Sequence, residues 1–305
     1  MPIISKTMQS RIKNKIPLLI TMDLEIAEDH NLEQQAQIIN KLNKNIELPI
    51  TIFTAANAAQ KFSNEIKNLD STFHEFGCHG LNHSESENFN KMTIAESSDA
   101  IYKATTIIES IIGMRPTAFR GPSMGTSSNT QHALVENGYK TDFSVCSQRF
   151  DIFNSKGGSA GWLTAPRIPY HPSKSSPFKR GNSKLLVVPL RSMGLPFLSG
   201  TLYLFGLHFM KMFFNLLFKE SQKSNKPIVY LFHSYEFCEI NRTDTKNSAK
   251  QKLLHRIYHQ DRNKRLKLNL ELIKYMISFS EVEPMTARSF FEYFNEPKNM
   301  FEEYV

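Results

Sequence analysis

Short apolar runs alternate with amphipathic segments through the first half of the chain. The runs predict strands at about 17–23, 50–54 and 117–120, and a further strand that ends at His79. The segment after the first strand has the helical repeat, with apolar residues on one face: Leu32, Ala36, Ile39 and Leu42. Repeated strand–helix units predict parallel strands with right-handed crossovers. The fold class is therefore α/β, either a barrel or a doubly wound sheet.

Helix boundaries in this half carry their own signals. A helix is predicted near 57–69. Thr93 and Glu96 have the spacing of a capping box and open a second helix, which Gly113 closes. A third helix is predicted to end at 137–138, where an Asn-Gly pair stands. These signals support the alternating pattern.

The second half of the chain is less regular. Glycine and proline recur between about 145 and 183, so this stretch is predicted to be a long loop region. Strand patterns return at 185–188 and 228–233, and 251–278 predicts one or two helices. Neither a linker nor an internal repeat divides the sequence. We therefore expect a single domain over residues 1–305.

One segment, 201–218, is far more apolar and aromatic than a barrel helix typically is. Three polar residues, His208, Lys211 and Asn215, fall on a narrow stripe of this segment. Two interpretations stay open. The segment is either a buried core helix or an interfacial helix that seats the protein on an anionic membrane surface.

Composition narrows the class of protein. The chain has 305 residues, of which 40% are apolar and 22% charged, as is typical of a globular protein. The three cysteines, Cys78, Cys146 and Cys238, are odd in number and widely spaced, which argues against a disulfide framework and fits a reducing compartment. The N-terminus is polar and basic and lacks a signal-peptide pattern, so a cytoplasmic location is the default expectation.

The formal net charge of +8 suggests an anionic partner. Much of the positive charge lies late, in one group from Lys174 to Arg191 and another from Lys246 to Lys267. The sequence has no zinc-finger, helix-turn-helix or RNA-recognition pattern. We therefore expect no nucleic-acid partner and favour an acidic membrane surface, with the protein cytoplasmic and membrane-associated.

Two pairs of polar residues follow predicted strands. Asp23 and Glu25 end the first strand, where residues at i and i+2 share a face. His79 and His83, in the run Cys-His-Gly-Leu-Asn-His, have a spacing that places both imidazoles on one side of a helical turn. One carboxylate and two histidines form a common open zinc site, and the second carboxylate would be free to act as a base. The alternatives are a solvated strand end and a pair of surface histidines.

Other functional residue types stand at later strand ends. Arg120 begins Arg-Gly-Pro-Ser, Asp142 ends Tyr-Lys-Thr-Asp, and His233 ends Leu-Phe-His. With the two earlier pairs, these ordered motifs over about 17–235 resemble the polysaccharide deacetylase family (nodulation-protein-B homology, carbohydrate esterase family 4). The resemblance implies a deformed, incomplete (β/α) barrel of seven strands, which helices within 250–305 would complete. It also implies a divalent metal, most commonly Zn²⁺, and hydrolysis of an N-acetyl or N-formyl group on an amino sugar.

The resemblance implies roles at the metal. Asp23 corresponds to the general base, and His79 and His83 correspond to metal ligands. The family's more common first motif, T-F-D-D-G, has a metal-binding aspartate directly after the base, where this chain has Leu24. The chain resembles the D-x-E branch, in which Glu25 is the third ligand. An exchange of roles between the two carboxylates stays open.

Arg120 matches the arginine of the family's R-x-P motif and would hold Asp23 ionised and oriented. Pro122 belongs to the same motif and would border the substrate. At the next position, where the family often has an aromatic residue, this chain has Ser123, whose N–H would help to bind the oxyanion. One wall of the sugar site must therefore come from elsewhere.

Leu231 and His233 match the family's L-x-H motif. Leu231 would line the acetyl pocket, and His233 would protonate the leaving amine. Asp142 matches the fourth motif loosely, which implies an orienting role beside the substrate. The resemblance assigns no role to Glu236, three residues after His233.

These roles predict a metal-dependent hydrolase of linear amide bonds, a carbohydrate N-deacetylase. Its substrate would be an amino-sugar glycan of the cell envelope or a lipid-linked saccharide handled on the cytoplasmic side of a membrane. Two alternatives stay open. One is a cyclic-amide or ureide hydrolase of the allantoinase-like branch, and the other is a non-catalytic carbohydrate- or membrane-binding relative.

Overall fold

A computed structural model describes residues 15–27, 30–148, 160–224, 226–239 and 261–295. Within these ranges the chain forms twelve β-strands, the first of which begins at Ile16. Their bounds are β1 Ile16–Leu24, β2 Thr51–Thr54, β3 Glu75–Cys78, β4 Ala118–Phe119, β5 Thr141–Asp142, β6 Pro172–Ser173, β7 Ser176–Arg180, β8 Leu186–Val187, β9 Ser192–Met193, β10 Leu195–Pro196, β11 Ile228–His233 and β12 Val282–Pro284.

Seven of the strands form one curled parallel sheet, in the order β11-β1-β2-β3-β4-β5-β8. β12 also pairs in parallel with the first residues of β1. The two remaining strand pairs, β6–β7 and β9–β10, are antiparallel hairpins outside this sheet. The curled sheet is a half barrel, and it confirms the prediction of an incomplete (β/α) barrel of seven strands.

Helices connect or flank these strands. Their bounds are α1 Leu32–Asn40, α2 Leu42–Asn45, α3 Ala56–Lys61, α4 Ser63–Lys67, α5 Ile94–Ile112, α6 Ser128–Glu136, α7 Ser199–Ser224, α8 Arg262–Ile277 and α9 Ala287–Asn295. The predicted capping box of Thr93 and Glu96 opens α5, and Gly113 ends it with a φ of 77°. The helix predicted near 57–69 is instead two short helices, α3 and α4, which meet at the buried Phe62.

β1 lies inside the sheet and is buried along its whole length. Leu18 and Ile20 pack with the surrounding helices, whereas Leu19 packs in a second core on the opposite face of the sheet. Because side chains alternate along a strand, Thr21 and Asp23 share the face of Leu19. Asp23 therefore faces the inside of the curl at the carboxyl end of β1, where functional residues of parallel barrels collect.

The region predicted as a long loop, 145–183, is more regular than expected. It contains the β6–β7 hairpin, while residues 149–159 lie outside the described residues. Pro172 and Pro177 stand in the hairpin strands. A two-stranded ribbon at an edge needs few backbone donors, so it tolerates the prolines that argued against regular structure.

The helical segment expected at 251–278 is a single helix, α8, in its described part, and residues 240–260 lie outside the described residues. α8 packs against α7. β12 follows α8 and extends the pairing of β1. The C-terminal segment therefore contributes a strand as well as the expected helices.

The apolar segment 201–218 lies within α7, which is broken at Gly206 by a φ of 84°. One side of α7 is buried against β11 and α8, through Met210, Phe213, Phe214, Leu217 and Phe218. The opposite side exposes Phe205, Met212 and Leu216. Within the described ranges, α7 is the helix that is long and apolar enough to cross a membrane by length and composition, with 44% of its most apolar window buried. The core interpretation thus fits one side of α7, and the interfacial interpretation stays open for the other.

Candidate metal and catalytic site

The three predicted metal ligands come together in space. Ligand atoms of Glu25, His79 and His83 all lie within 4.8 Å of one another. His83 Nε2 is 2.8 Å from Glu25 Oε2, and His79 Nε2 is 3.8 Å from the same oxygen. His79 is buried, whereas His83 is partly exposed. The cluster therefore lies at the boundary between core and surface.

The two histidines do not lie on a helical turn, contrary to the geometry that their spacing suggested. β3 ends at Cys78, and 79–83 is an irregular loop with His83 in the left-handed region at a φ of 57°. Gly80 also has a positive φ, 77°, and a Cβ there would meet the carboxylate of Glu87. The loop itself curls, which brings the two imidazole centroids to 5.3 Å.

Glu87 holds this loop in shape, although sequence reasoning did not identify it. Its carboxylate accepts backbone hydrogen bonds from Leu81 at 2.5 Å, from Asn82 at 3.0 Å and from His83 at 3.0 Å. Hydrogen bonds to an ionised acceptor are stronger than neutral ones. They stabilise the left-handed backbone at His83 and so fix the position of its imidazole. An acidic residue four positions after a proposed ligand is the signal that would have indicated it.

A backbone carbonyl sets the protonation of His79. Its Nδ1 lies 2.7 Å from the carbonyl oxygen of Arg120, which can only accept, so Nδ1 carries the hydrogen. Nε2 then presents its lone pair on the side of Glu25. Burial lowers the pKa of His79, although nearby Asp23 opposes this effect. A neutral imidazole fixed by its other nitrogen is the form in which histidine binds metals.

Glu25 is ionised at neutral pH. Burial alone would raise the pKa of its carboxyl, but the neighbouring His83, followed by His79 and His233, lowers that pKa to about 2. One carboxylate and two imidazole nitrogens form a donor set that fits a divalent cation such as Zn²⁺ and leaves room for water or substrate. The residues present therefore fit the metal that the resemblance implies.

Asp23 lies beside this cluster and is held by Arg120. Arg120 Nη1 donates to Asp23 Oδ1 at 2.6 Å, and Nη2 donates to Thr21 Oγ1 at 3.0 Å. The guanidinium is buried and packs over the rings of Phe53 and Phe143, at 4.3 and 5.7 Å from their centroids. This packing fixes the arginine, which in turn fixes one oxygen of Asp23.

The other oxygen of Asp23 faces two histidines. Asp23 Oδ2 lies 3.9 Å from Nε2 of His79 and 3.9 Å from Nε2 of His233. Asp23 therefore stands between the metal cluster and His233. The structure brings all the predicted metal-binding and catalytic residues into one site: Asp23, Glu25, His79, His83, Arg120 and His233.

His233 ends β11 and is paired with Glu236. Its Nδ1 lies 2.8 Å from Glu236 Oε1, across a short 3-10 helix at Ser234–Phe237. Burial lowers the pKa of His233, but Glu236, followed by Asp23 and Glu25, raises it to about 9. Sequence reasoning gave Glu236 no role. The signal was an acidic residue three positions after the proposed proton donor.

Three of the predicted substrate-binding residues, Pro122, Ser123 and Leu231, lie within three residues of Arg120 or His233 in the sequence. Pro122 is buried and Ser123 is half-buried in a 3-10 turn that follows Arg120. Ser123 has a φ of 54°, in the left-handed region. Leu231 is buried in β11 and forms a bridge to Leu198, so it contributes an apolar wall below His233.

Asp142, the fourth predicted substrate-binding residue, lies in the core beside the loop after β4. Asp142 is fully buried, and its carboxylate accepts hydrogen bonds from Ser144, Thr126 and Gln131. Burial raises the pKa of Asp142. Ser144 Oγ in turn accepts from Gly121 N–H at 2.8 Å. Neighbouring groups occupy both oxygens, so Asp142 supports the loop after β4.

Comparison with known proteins finds similarity in the first half of the chain. The family model for polysaccharide deacetylase matches residues 17–141. Residues 17–141 are thus similar to the polysaccharide deacetylase family. A peptidoglycan deacetylase of Helicobacter pylori is 30% identical to this chain over 120 residues, which are 39% of this chain and 40% of that protein. The chain thus matches less than half the length of this curated relative.

Several solved structures share the fold of this chain. A polysaccharide deacetylase from Mycobacterium smegmatis has a TM-score of 0.59 at 13% identity, with 92% of this chain and 91% of that chain covered. Puue allantoinase has a TM-score of 0.58 at 16% identity, with coverages of 94% and 92%. A polysaccharide deacetylase from Pseudomonas aeruginosa PAO1 has a TM-score of 0.58 at 15% identity, with coverages of 93% and 92%. At these identities the likeness establishes the fold alone.

Proposed function

We propose that this chain is a metal-dependent N-deacetylase of amino sugars. One observation carries the proposal: Asp23 has one oxygen fixed by Arg120, while its other oxygen lies between the metal cluster and His233. A base candidate between a metal site and a proton donor suits the hydrolysis of an amide. The similarity of residues 17–141 to the polysaccharide deacetylase family supports the same class of reaction.

Glu25, His79 and His83 are the proposed metal ligands. A divalent cation held there would polarise the amide carbonyl and make a nearby water more acidic. The ionised Glu25 balances part of the cation's charge. His79, with its hydrogen fixed on Nδ1, presents Nε2 as a ligand without rearrangement.

Asp23 is the proposed general base. Its Oδ2 takes a proton from the attacking water, while Arg120 keeps Oδ1 in place. The attack converts the amide carbonyl into an oxyanion. We assign the backbone N–H of Ser123 as a donor to that oxyanion, since the 3-10 turn at 122–124 begins two residues after Arg120.

His233 is the proposed proton donor to the leaving nitrogen. Its pKa of about 9 keeps it protonated at neutral pH. Transfer of the Nε2 proton to the nitrogen allows the carbon–nitrogen bond to break. The products are acetate and a free amino sugar. An N-formyl substrate would give formate by the same steps.

The proposed substrate is an N-acetylated glycan of the cell envelope. The Helicobacter pylori relative is called a peptidoglycan deacetylase, which supports a glycan. A lipid-linked saccharide is the narrower candidate, and the exposed apolar side of α7 supports it. Phe205, Met212 and Leu216 are 45%, 55% and 55% exposed, and the exposed Lys219 follows on the same helix. A cytoplasmic location and a single domain over 1–305 also stay proposals.

Metal analysis of the purified protein, followed by an assay of acetate release from N-acetylated peptidoglycan fragments, tests this function. We expect about one divalent ion per chain and acetate release that Asp23→Asn removes. Allantoin serves as a second substrate, and its turnover without acetate release would favour the ureide hydrolase. Glycan binding without turnover by the metal-loaded protein would favour a non-catalytic relative.

A further inference from the structure

The buried carboxylate of Glu236 accepts hydrogen bonds from three side chains. Oε1 accepts from His233 Nδ1 at 2.8 Å and from Ser199 Oγ at 2.7 Å, and Oε2 accepts from Tyr203 Oη at 3.0 Å. Glu236 is 2% exposed. Within the described part of the chain, its ion-pair partner is His233. A buried carboxylate costs free energy unless it is paired and hydrogen-bonded, and here both oxygens are occupied.

Each hydrogen bond in the chain Tyr230–Asn269–Tyr203–Glu236 is donated towards Glu236. Because a carboxylate only accepts, Tyr203 donates its hydroxyl hydrogen to Glu236, and its oxygen accepts from Asn269 Nδ2 at 2.7 Å. Asn269 Oδ1 accepts from the hydroxyl of Tyr230 at 2.6 Å. Burial, and then the charge of Glu236, raises the pKa of both tyrosines well above its usual value. Both phenols therefore stay protonated and stay donors.

This direction fixes the tautomer of His233. With Glu236 as an acceptor, Nδ1 of His233 carries a hydrogen in both protonation states of the ring. Nε2 is then the atom that loses and regains a proton, and it lies 3.9 Å from Asp23 Oδ2. The ring cannot present the wrong nitrogen to the site without breaking its hydrogen bond to Glu236.

We propose that Glu236 is the positioning residue of His233, and that Ser199 and Tyr203, in the first two turns of α7, hold Glu236 in place. The proposal rests on the proposed function, in which His233 donates the proton. The resemblance assigned an orienting role to Asp142, but Asp142 bonds to Ser144 and its neighbours instead. The orienting carboxylate thus comes from the turn after β11, and the apolar helix α7 supports it.

The substitution Glu236→Gln would keep the size of the side chain but replace one acceptor oxygen by an amide group that donates. That amide nitrogen would face at least one of three donors that now point at Glu236. The tautomer with hydrogen on Nε2 and a bare Nδ1 would then become accessible to His233. In serine proteases, replacing the aspartate that orients the catalytic histidine by asparagine gives the wrong tautomer and lowers kcat by about 10⁴-fold.

The test compares Glu236→Gln, Glu236→Asp and Tyr203→Phe with Tyr275→Phe, a matched control whose hydroxyl bonds to Asn215 at 2.9 Å instead. We expect Glu236→Gln to lower kcat by ~10²–10⁴-fold with KM and metal content unchanged. The pH above which kcat falls should also decrease, because the pKa of His233 loses its largest raising influence. Glu236→Asp should recover part of the rate. Tyr203→Phe should have a smaller effect of the same kind, and Tyr275→Phe none.

Nitrogen NMR of His233 separates this inference from the proposed function. It needs no turnover, since it reports which ring nitrogen carries hydrogen. At a pH above about 9, where the ring is neutral, we expect Nδ1–H in the parent protein. We expect a loss of that preference in Glu236→Gln, or in Tyr203→Phe if the first variant does not fold. An unprotonated Nδ1 in the parent, or spectra and pKa of His233 that neither variant changes, would overturn the assignment. A parent without turnover but with the expected spectra would contradict only the deacetylase proposal.

Discussion

The metal cluster takes its ligands from the ends of two strands and one short loop, whereas the proton donor is fixed by groups from four separate elements. Glu25 follows β1, and His79 and His83 lie within five consecutive residues after β3. His233, in contrast, depends on Glu236 and through it on α7, α8 and β11. The metal cluster is built from short sequence motifs, whereas the position of His233 depends on packing between distant parts of the chain. The metal cluster and the proton donor should therefore respond differently to substitution.

Removal of a metal ligand should have the largest effect. His79→Ala and His83→Ala should each abolish tight metal binding and turnover, because three ligands reduced to two rarely hold zinc at neutral pH. Metal content and acetate release measure both effects. His132→Ala is the control, since His132 is half-buried outside the site, with its ring nitrogen at 3.2 Å from the backbone carbonyl of Lys174. Stoichiometric metal in either ligand variant would remove the assignment.

Asp23→Asn should separate the base from the metal. We expect the variant to retain metal and to lose ~10²–10⁴-fold in kcat, the usual contribution of a general base. Glu25→Gln should instead lose metal first, because it removes the charge that balances the cation. An empty site in Asp23→Asn beside a full site in Glu25→Gln would show that the two carboxylates have exchanged roles.

The outline of the fold could be predicted because the first half obeys simple periodicity. Alternating runs such as those of β1 and α5 have one buried face, and their spacing reveals it. α7 is apolar on both sides, so periodicity could not tell which side packs against the core. Phe213 and Phe214 are buried, while Met212 and Leu216 beside them are exposed.

The site was predictable where its residues stand at strand ends and unpredictable where they support others. Glu87 lies in a polar stretch of the sequence and Glu236 stands between Tyr235 and Phe237. An acidic residue in a loop is normally a solvated surface residue. Their carboxylates are buried only because a loop and a 3-10 turn fold back onto them. Asp142 shows the converse, since a residue at a strand end became a support for the loop after β4.

Glu87→Gln should weaken metal binding without removing any ligand. Loss of the carboxylate leaves three backbone donors poorly paired and relaxes the left-handed backbone at His83. Substitution of supporting residues around a metal site typically costs ~10–100-fold in affinity. Competition with a chelator of known affinity measures the change. Glu85→Gln, at an exposed position of the same loop, is the matched control. Equal affinities in both variants would contradict the role of Glu87.

The smallest expected effect on stability concerns the exposed side of α7. Phe205→Ser and Leu216→Ser should change the free energy of unfolding by ~0.5 kcal/mol or less, as is typical of surface positions. If that side contacts membrane, they should nevertheless reduce binding to vesicles that contain anionic lipid. Binding by the parent should also weaken with salt, since the Debye length falls from ~10 Å at 0.1 M to ~3 Å at 1 M.

Phe214→Ser is the matched control for the membrane experiment, because Phe214 is buried on the core side of the same helix. It should lower the free energy of unfolding by ~3–5 kcal/mol, the usual cost of removing a buried aromatic side chain. Vesicle co-sedimentation and thermal melting distinguish the two sides of α7. A parent protein that does not bind anionic vesicles, or exposed-side variants that bind as the parent does, would remove the membrane contact. The proposed deacetylase would then act without one, since no catalytic residue depends on that side of α7.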